Sequence, residues 1–127
     1  MARARGGRER RIVKRGELYR LRHPTGGVKR SRVVVVVSRQ GAIDSALTTV
    51  MCAPIYTERL GMGSTVSVGV DEGLKHDSSV RCDLITSVAK SALTAFVGEL
   101  GPEAIERLGR ALRVALEVEC DGNELPA

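Results

Sequence analysis

Apolar residues fall into short clusters spaced about ten residues apart, followed by one longer stretch of different period near the C-terminus. Ile12–Leu21 reads as a short strand, broken by or entered through Gly16. His23-Pro24-Thr25-Gly26-Gly27 gathers a Pro and two Gly into a turn. Val33–Val37 is an unbroken run of valine. β-branching at every position favours a strand, and the lack of alternation predicts burial on both faces. Leu47–Tyr56 is a second strand, whose end Pro54 is expected to push to a sheet edge or bulge. After the Gly61–Ser64 connection, Val66, Val68 and Val70 alternate with Ser67 and Gly69 in a period of two. Residues 71–79 read as a loop, Val80–Ile85 as a strand and Ala95–Val97 as a shorter one.

The C-terminal segment changes period. Pro102 stands at a first helical position, with Glu103 and Glu106 where the helix dipole favours acid. Ile105, Leu108, Leu112, Ala115 and Leu116 recur at helical spacing, with Arg107, Arg110 and Arg113 opposite. This predicts one amphipathic helix of about four turns. The expected class is therefore mainly β with α: a small, partly open barrel of five to six short strands closed by a C-terminal helix. No internal repeat and no βαβ alternation occurs, which excludes a dinucleotide fold. With 127 residues one domain is expected, divided into a basic arm at 1–11, a folded unit at 12–118 and a tail at 119–127.

Composition narrows the picture. Tyr19, Tyr56 and Phe96 are the only aromatics, so the core must be aliphatic, and base-stacking RNA modules are disfavoured. The first 32 residues hold 12 of the 20 Lys and Arg against two acids, Glu9 and Glu17; the rest of the chain is net acidic. Such a dipolar chain suits a polyanion bound at one end. Cys52, Cys82 and Cys120 are odd in number and widely spaced, which argues against a disulfide framework or a zinc site. His23 and His76 lack ligand-spaced partners, and neither a nucleophile elbow nor a phosphate loop occurs; no metal or cofactor is expected. No apolar run approaches a membrane span, and no apolar segment follows the basic N-terminus, so a cytoplasmic protein is expected.

Two segments carry candidate chemistry. Val28–Ser38 delivers Lys29, Arg30 and Arg32 at the mouth of a buried strand, which would fix a guanidinium and aim its planar donors at phosphate. Internal pairing of Arg32 with a carboxylate is the structural alternative. In Val80-Arg81-Cys82-Asp83, an Arg and an Asp two apart fall on one strand face; a plain surface ion pair explains that spacing equally well. Cys82 beside Arg81 reads as a half-buried strand thiol rather than an activated one.

Taken in order, Arg15-Gly16-Glu17, Pro24-Thr25-Gly26, Arg32–Ser38, Cys52-Ala53-Pro54-Ile55, Val80–Asp83 and Leu93 with Gly98-Glu99-Leu100 resemble the MazF/PemK-type toxins of bacterial type II toxin–antitoxin systems. The resemblance spans about Val13–Val118. It implies an SH3-like (CcdB/PemK-type) barrel with a C-terminal helix, a homodimer, and a growth-regulating endoribonuclease. Such an enzyme cuts single-stranded RNA at short motifs, without metal or ribosome, by attack of the RNA's own 2′-hydroxyl. It also implies a cognate antitoxin with an acidic C-terminal tail, and DNA binding together with that antitoxin. Carried over by position, Arg32 is catalytic, joined by Arg81 and Asp83, with Asp83 as the expected base. His23, Lys29, Arg30 and Ser38 are candidate substrate-binding residues.

The chain departs from that pattern in three places. Val33 replaces a usual Pro, the loop after Gly27 is shorter than usual, and Tyr56 stands where the family's catalytic Thr follows Ala-Pro-Ile. Neighbouring strand positions face opposite ways, so Thr57 takes that role only if the strand bulges; otherwise the Tyr56 phenol does. Two rival readings stay open. One is a non-catalytic RNA-binding relative, and the other is a CcdB-like gyrase poison, which the polar C-terminus and the absence of Trp disfavour.

Overall fold

The computed structural model describes residues 12–21, 32–58 and 61–119. Within them, seven strands form one antiparallel sheet: β1 (Glu17–Leu21), β2 (Arg32–Val36), β3 (Thr49–Tyr56), β4 (Thr65–Val68), β5 (Ser78–Arg81), β6 (Thr86–Ala89) and β7 (Phe96–Glu99). A short α1 (Gln40–Ile43) follows β2, and α2 (Pro102–Leu116) ends the described fold. The strand order is β4-β5-β3-β2-β1-β7, with β6 paired to β3. The sheet is mostly β and curled, with one C-terminal helix against it, as expected.

β2 shows why five consecutive valines suit this fold. Val33, Val35 and Val37 enter the larger core, which also holds Leu18, Ile55, Val80 and, from α2, Ala104, Leu108 and Ala111. Val34 and Val36 enter a second cluster with Tyr19, Ile43, Val50, Cys52 and Leu93. With apolar neighbours on both faces, alternation would leave a polar group buried. Leu108 is fully buried, and truncating such a side chain to Ala costs about 2–5 kcal/mol. Glu17, also buried, accepts the Tyr19 hydroxyl at 2.8 Å and the Lys14 backbone N–H at 3.0 Å.

Several boundaries differ from expectation. Pro54 neither ends β3 nor lies at a sheet margin, since it is paired with Val34 inside the sheet. On its other edge β3 pairs with β6 up to Cys52 and with β5 from Ile55. Pro54 falls in the gap between those ladders, where its missing N–H breaks no ladder bond. Val70 leaves the alternating pattern for a 3-10 turn at Val70–Glu72 and is exposed. β5 stops at Arg81, and Cys82–Leu84 forms a 3-10 turn that tucks Cys82 into the core beneath α2. Cys82 is thus fully buried, not half-buried on a strand. β6 and α1 were not expected. β6 reads Thr-Ser-Val-Ala and carries only one large apolar side chain, Val88, while α1 is a single turn. The arm at 1–11 and most of the tail lie outside the described residues.

Candidate active site

Strand register builds the site. β2 pairs with β3 so that Val34 faces Pro54; continued two residues, the same register sets Arg32 across from Tyr56. On the other side, β3 pairs with β5 so that Tyr56 faces Ser79, which makes Arg81 the diagonal neighbour of Tyr56 on the same face. The geometry follows: the Arg32 guanidinium carbon lies 4.3 Å from the Tyr56 ring centroid, and that of Arg81 lies 5.6 Å away. A tyrosine ring between two guanidiniums is the central feature. Cation–π attraction contributes about 0.5–1 kcal/mol per contact at exposed sites.

Asp83 completes the row behind Arg81. Nε and Nη2 of Arg81 donate to its two carboxylate oxygens at 3.1 and 2.8 Å. Hydrogen bonding from Arg81 is the main cause that holds the Asp83 carboxyl below its ordinary 3.8, and the same bond raises the Arg81 guanidinium above its usual value. The side chains are 19% and 30% exposed, so the pair is partly solvated. Its effect is to fix the direction of one guanidinium. A carboxylate held this way is a weak base.

Arg32 and Tyr56 also line an open depression of about 520 Å³. β1 contributes Arg20, and the chain after Tyr56 contributes Thr57. β3 ends at Tyr56 and the chain bends at Thr57. The rule of opposite faces therefore does not apply, and both residues line the depression without a bulge. Another part of its wall is residues 73–76, including Lys75 and His76, with Ser78 beside them. Among the described residues, no carboxylate lines this depression, whereas Arg20, Arg32 and Lys75 do. Such a concave, one-signed surface concentrates anions.

That wall is anchored by backbone contact. Gly73 has φ +98, and a Cβ there would stand 2.5 Å from the Val97 carbonyl oxygen. A Cβ on Gly98 would run into the Glu72 carbonyl. The Glu72 carboxylate accepts the Gly69 N–H at 2.7 Å, Leu74 packs against the larger core, and the Ser78 hydroxyl donates to the His76 carbonyl at 2.9 Å. A Cβ on Gly69 would stand 3.0 Å from Oδ1 of Asp77, the residue after His76.

The structure thus brings together Arg32, Tyr56, Thr57, Arg81 and Asp83. Ser38 does not join them. It lies beyond the far end of β2, about 20 Å along a strand from Arg32, and its hydroxyl accepts the Met51 N–H at 2.7 Å. His23, Lys29 and Arg30 lie outside the described residues. Sequence reasoning missed Arg20, Lys75 and His76. The available signal was the Lys75-His76 pair one residue after Asp71-Glu72-Gly73, a reversal of charge at a turn. Among the described residues, no three His, Cys, Asp or Glu side chains cluster as a metal site, and no helix is long and apolar enough to cross a membrane.

Comparison with known proteins agrees with this fold. A profile described as the PemK-like, MazF-like toxin of type II toxin–antitoxin systems matches residues 14–116. The fold is similar to the Mycobacterium tuberculosis toxin MazF-mt6 (TM-score 0.70, 24% identity, 82% of this chain and 99% of that one). It is also similar to an endoribonuclease in complex with its cognate antitoxin from a mycobacterial species (TM-score 0.72, 24% identity, 86% and 99%). A MazE–MazF structure from Deinococcus radiodurans shares the fold at 17% identity (TM-score 0.69, 87% and 100%). A sequence search of curated proteins returned no match. The profile spans nearly the whole folded unit, and the chain belongs to the PemK-like, MazF-like toxins of type II toxin–antitoxin systems.

Proposed function

We propose that this toxin is an endoribonuclease that cuts single-stranded RNA through attack by the 2′-hydroxyl, independently of metal and ribosome. The observation that carries the reading is the Arg32–Tyr56–Arg81 row at the rim of a depression that, among the described residues, is lined by Arg20, Arg32 and Lys75 and by no carboxylate. One solved structure of similar fold is named an endoribonuclease, and another is an endoribonuclease bound to its cognate antitoxin.

In the proposed reaction, the 2′-oxygen bonds to phosphorus and the bond from phosphorus to the 5′-oxygen breaks, leaving a 2′,3′-cyclic phosphate and a 5′-hydroxyl. Charge builds on the phosphorane oxygens, and Arg32 meets it. A well-placed donor of this kind is worth about 3–4 kcal/mol of transition-state stabilisation. Arg81, aimed by Asp83, is the second donor; Asp83 acts through it as a positioning residue. Arginine does not give up its proton in this range, so the Tyr56 hydroxyl, with Thr57 next to it, protonates the leaving 5′-oxygen. Lys29, Arg30 and His23 are assigned to the path of the RNA strand.

The active species is proposed to be a cytoplasmic homodimer, silenced by an antitoxin whose acidic tail competes for the same cation-lined surface. The deciding experiment incubates the purified protein and EDTA with labelled single-stranded RNA and with DNA of the same sequence. Cleavage of RNA alone, to cyclic-phosphate ends, supports the reading. Binding without cleavage points to the non-catalytic relative, and loss of cleavage in EDTA overturns the mechanism.

A further inference from the structure

Cleavage by the 2′-hydroxyl requires a group that takes its proton, and the row of Arg32, Tyr56 and Arg81 offers none. Asp83, the carboxylate nearest that row, is occupied by Arg81 at both oxygens and is not part of the depression's lining. Among the described residues, those with proton-exchanging side chains that line it are Tyr56, Thr57, Ser78, Arg20, Arg32, Lys75 and His76. Of these types, imidazole alone ordinarily gains and loses a proton between about pH 5 and 8.

We infer that His76 is the catalytic base of this site. His76 is exposed and lines the same depression as Arg32 and Tyr56. The segment holding it is fixed independently of substrate, by Leu74 in the core, by the Gly73 and Gly98 backbone contacts, and by the hydrogen bond from Ser78. The imidazole takes the 2′-hydroxyl proton as the 2′-oxygen bonds to phosphorus, and the Tyr56 hydroxyl returns a proton to the departing 5′-oxygen. Among the described residues, the charged and titratable groups that share the depression with His76 are Arg20 on β1, Arg32 on β2 and Tyr56 on β3, with Lys75 adjacent. The cations hold the phosphate while the imidazole moves the proton.

This inference rests on the endoribonuclease reading and is tested beside it. Single-turnover cleavage and RNA affinity are measured for the wild type, His76→Ala, His76→Gln and Arg32→Ala, with thermal melting as a check on folding. Both His76 variants are expected to cleave about 10²–10⁴-fold more slowly, to bind RNA within about threefold of wild type, and to melt with it. Added imidazole restores rate to His76→Ala and not to Arg32→Ala. A His76→Ala rate within about threefold of wild type overturns the inference and leaves the endoribonuclease reading intact. A loss explained by weaker RNA binding, or one that imidazole leaves unchanged, has the same consequence. A wild-type protein that leaves RNA uncut overturns both.

Discussion

Arg32 and Tyr56 sit across from each other on neighbouring strands, with the guanidinium carbon 4.3 Å from the ring centroid. The contact follows from the register that pairs Val34 with Pro54. A tyrosine in this position does two things: its ring holds a guanidinium, and the residue lines the depression.

Two substitutions separate those roles. Tyr56→Phe keeps the ring, so RNA affinity should stay within about threefold while cleavage falls by about 100-fold, the scale of a lost proton donor. Tyr56→Ala also frees Arg32, and affinity should drop a further two- to fivefold or so, matching a contact of about 0.5–1 kcal/mol. Fluorescence binding and single-turnover assays read both. If Thr57→Ala abolishes cleavage and Tyr56→Phe does not, the hydroxyl that serves is Thr57.

The Arg81–Asp83 pair predicts a pH dependence. Its folded-state carboxyl is held below the ordinary 3.8, mainly by hydrogen bonding from Arg81. A depressed carboxyl contributes stability that is present above its unfolded value and is lost as pH falls through the folded one. Asp83→Asn should therefore be less stable than wild type at neutral pH, with the difference closing below the ordinary carboxylate range. Urea unfolding across pH 2 to 7 measures it. A difference that persists unchanged to the acid end would contradict the assignment.

The wall of the depression depends on two glycines. At Gly98 a Cβ would meet the Glu72 carbonyl, a backbone atom that cannot rotate away. Gly98→Ala should destabilise the fold by about 1–3 kcal/mol and displace the 73–76 segment. A lower urea midpoint with reduced cleavage is the expected pair of results. An unchanged midpoint would show that the turn gives way without cost.

Cys52 and Cys82 are fully buried, and burial pushes their thiols up to about 12 and about 11. In a Cys120→Ala background, both should resist a thiol reagent at pH 8 while the protein is folded and react fully in denaturant. Rapid labelling of the native protein would mean that the core opens readily.

Much of this fold was legible because its elements are patterned locally. The valine run announced a strand with two covered faces, and the 102–116 segment announced its helix through Pro102, Glu103 and the spacing of its leucines. What failed were features set by partners. Pro54 looked like a strand end because the change of partner from β6 to β5 lies in other segments. Arg81 and Asp83 shared a predicted strand face, whereas the chain turns at Cys82 and lets them pair directly. The choice between Tyr56 and Thr57 turned on where β3 ends, which no local pattern marks. Arg20 and His76 joined the site through the curl of the sheet, which leaves no periodic trace in the sequence.

The central claim is that Arg32 drives cleavage of RNA by its own 2′-hydroxyl. It is tested most directly with a DNA oligonucleotide carrying a single ribonucleotide at the cleavage position, incubated in EDTA with wild type and Arg32→Ala at matched, saturating protein. Wild type should cut only at the ribonucleotide, and Arg32→Ala should do so about 10²–10³-fold more slowly. Equal rates for the two proteins, or cutting of the all-deoxy strand, would contradict the account.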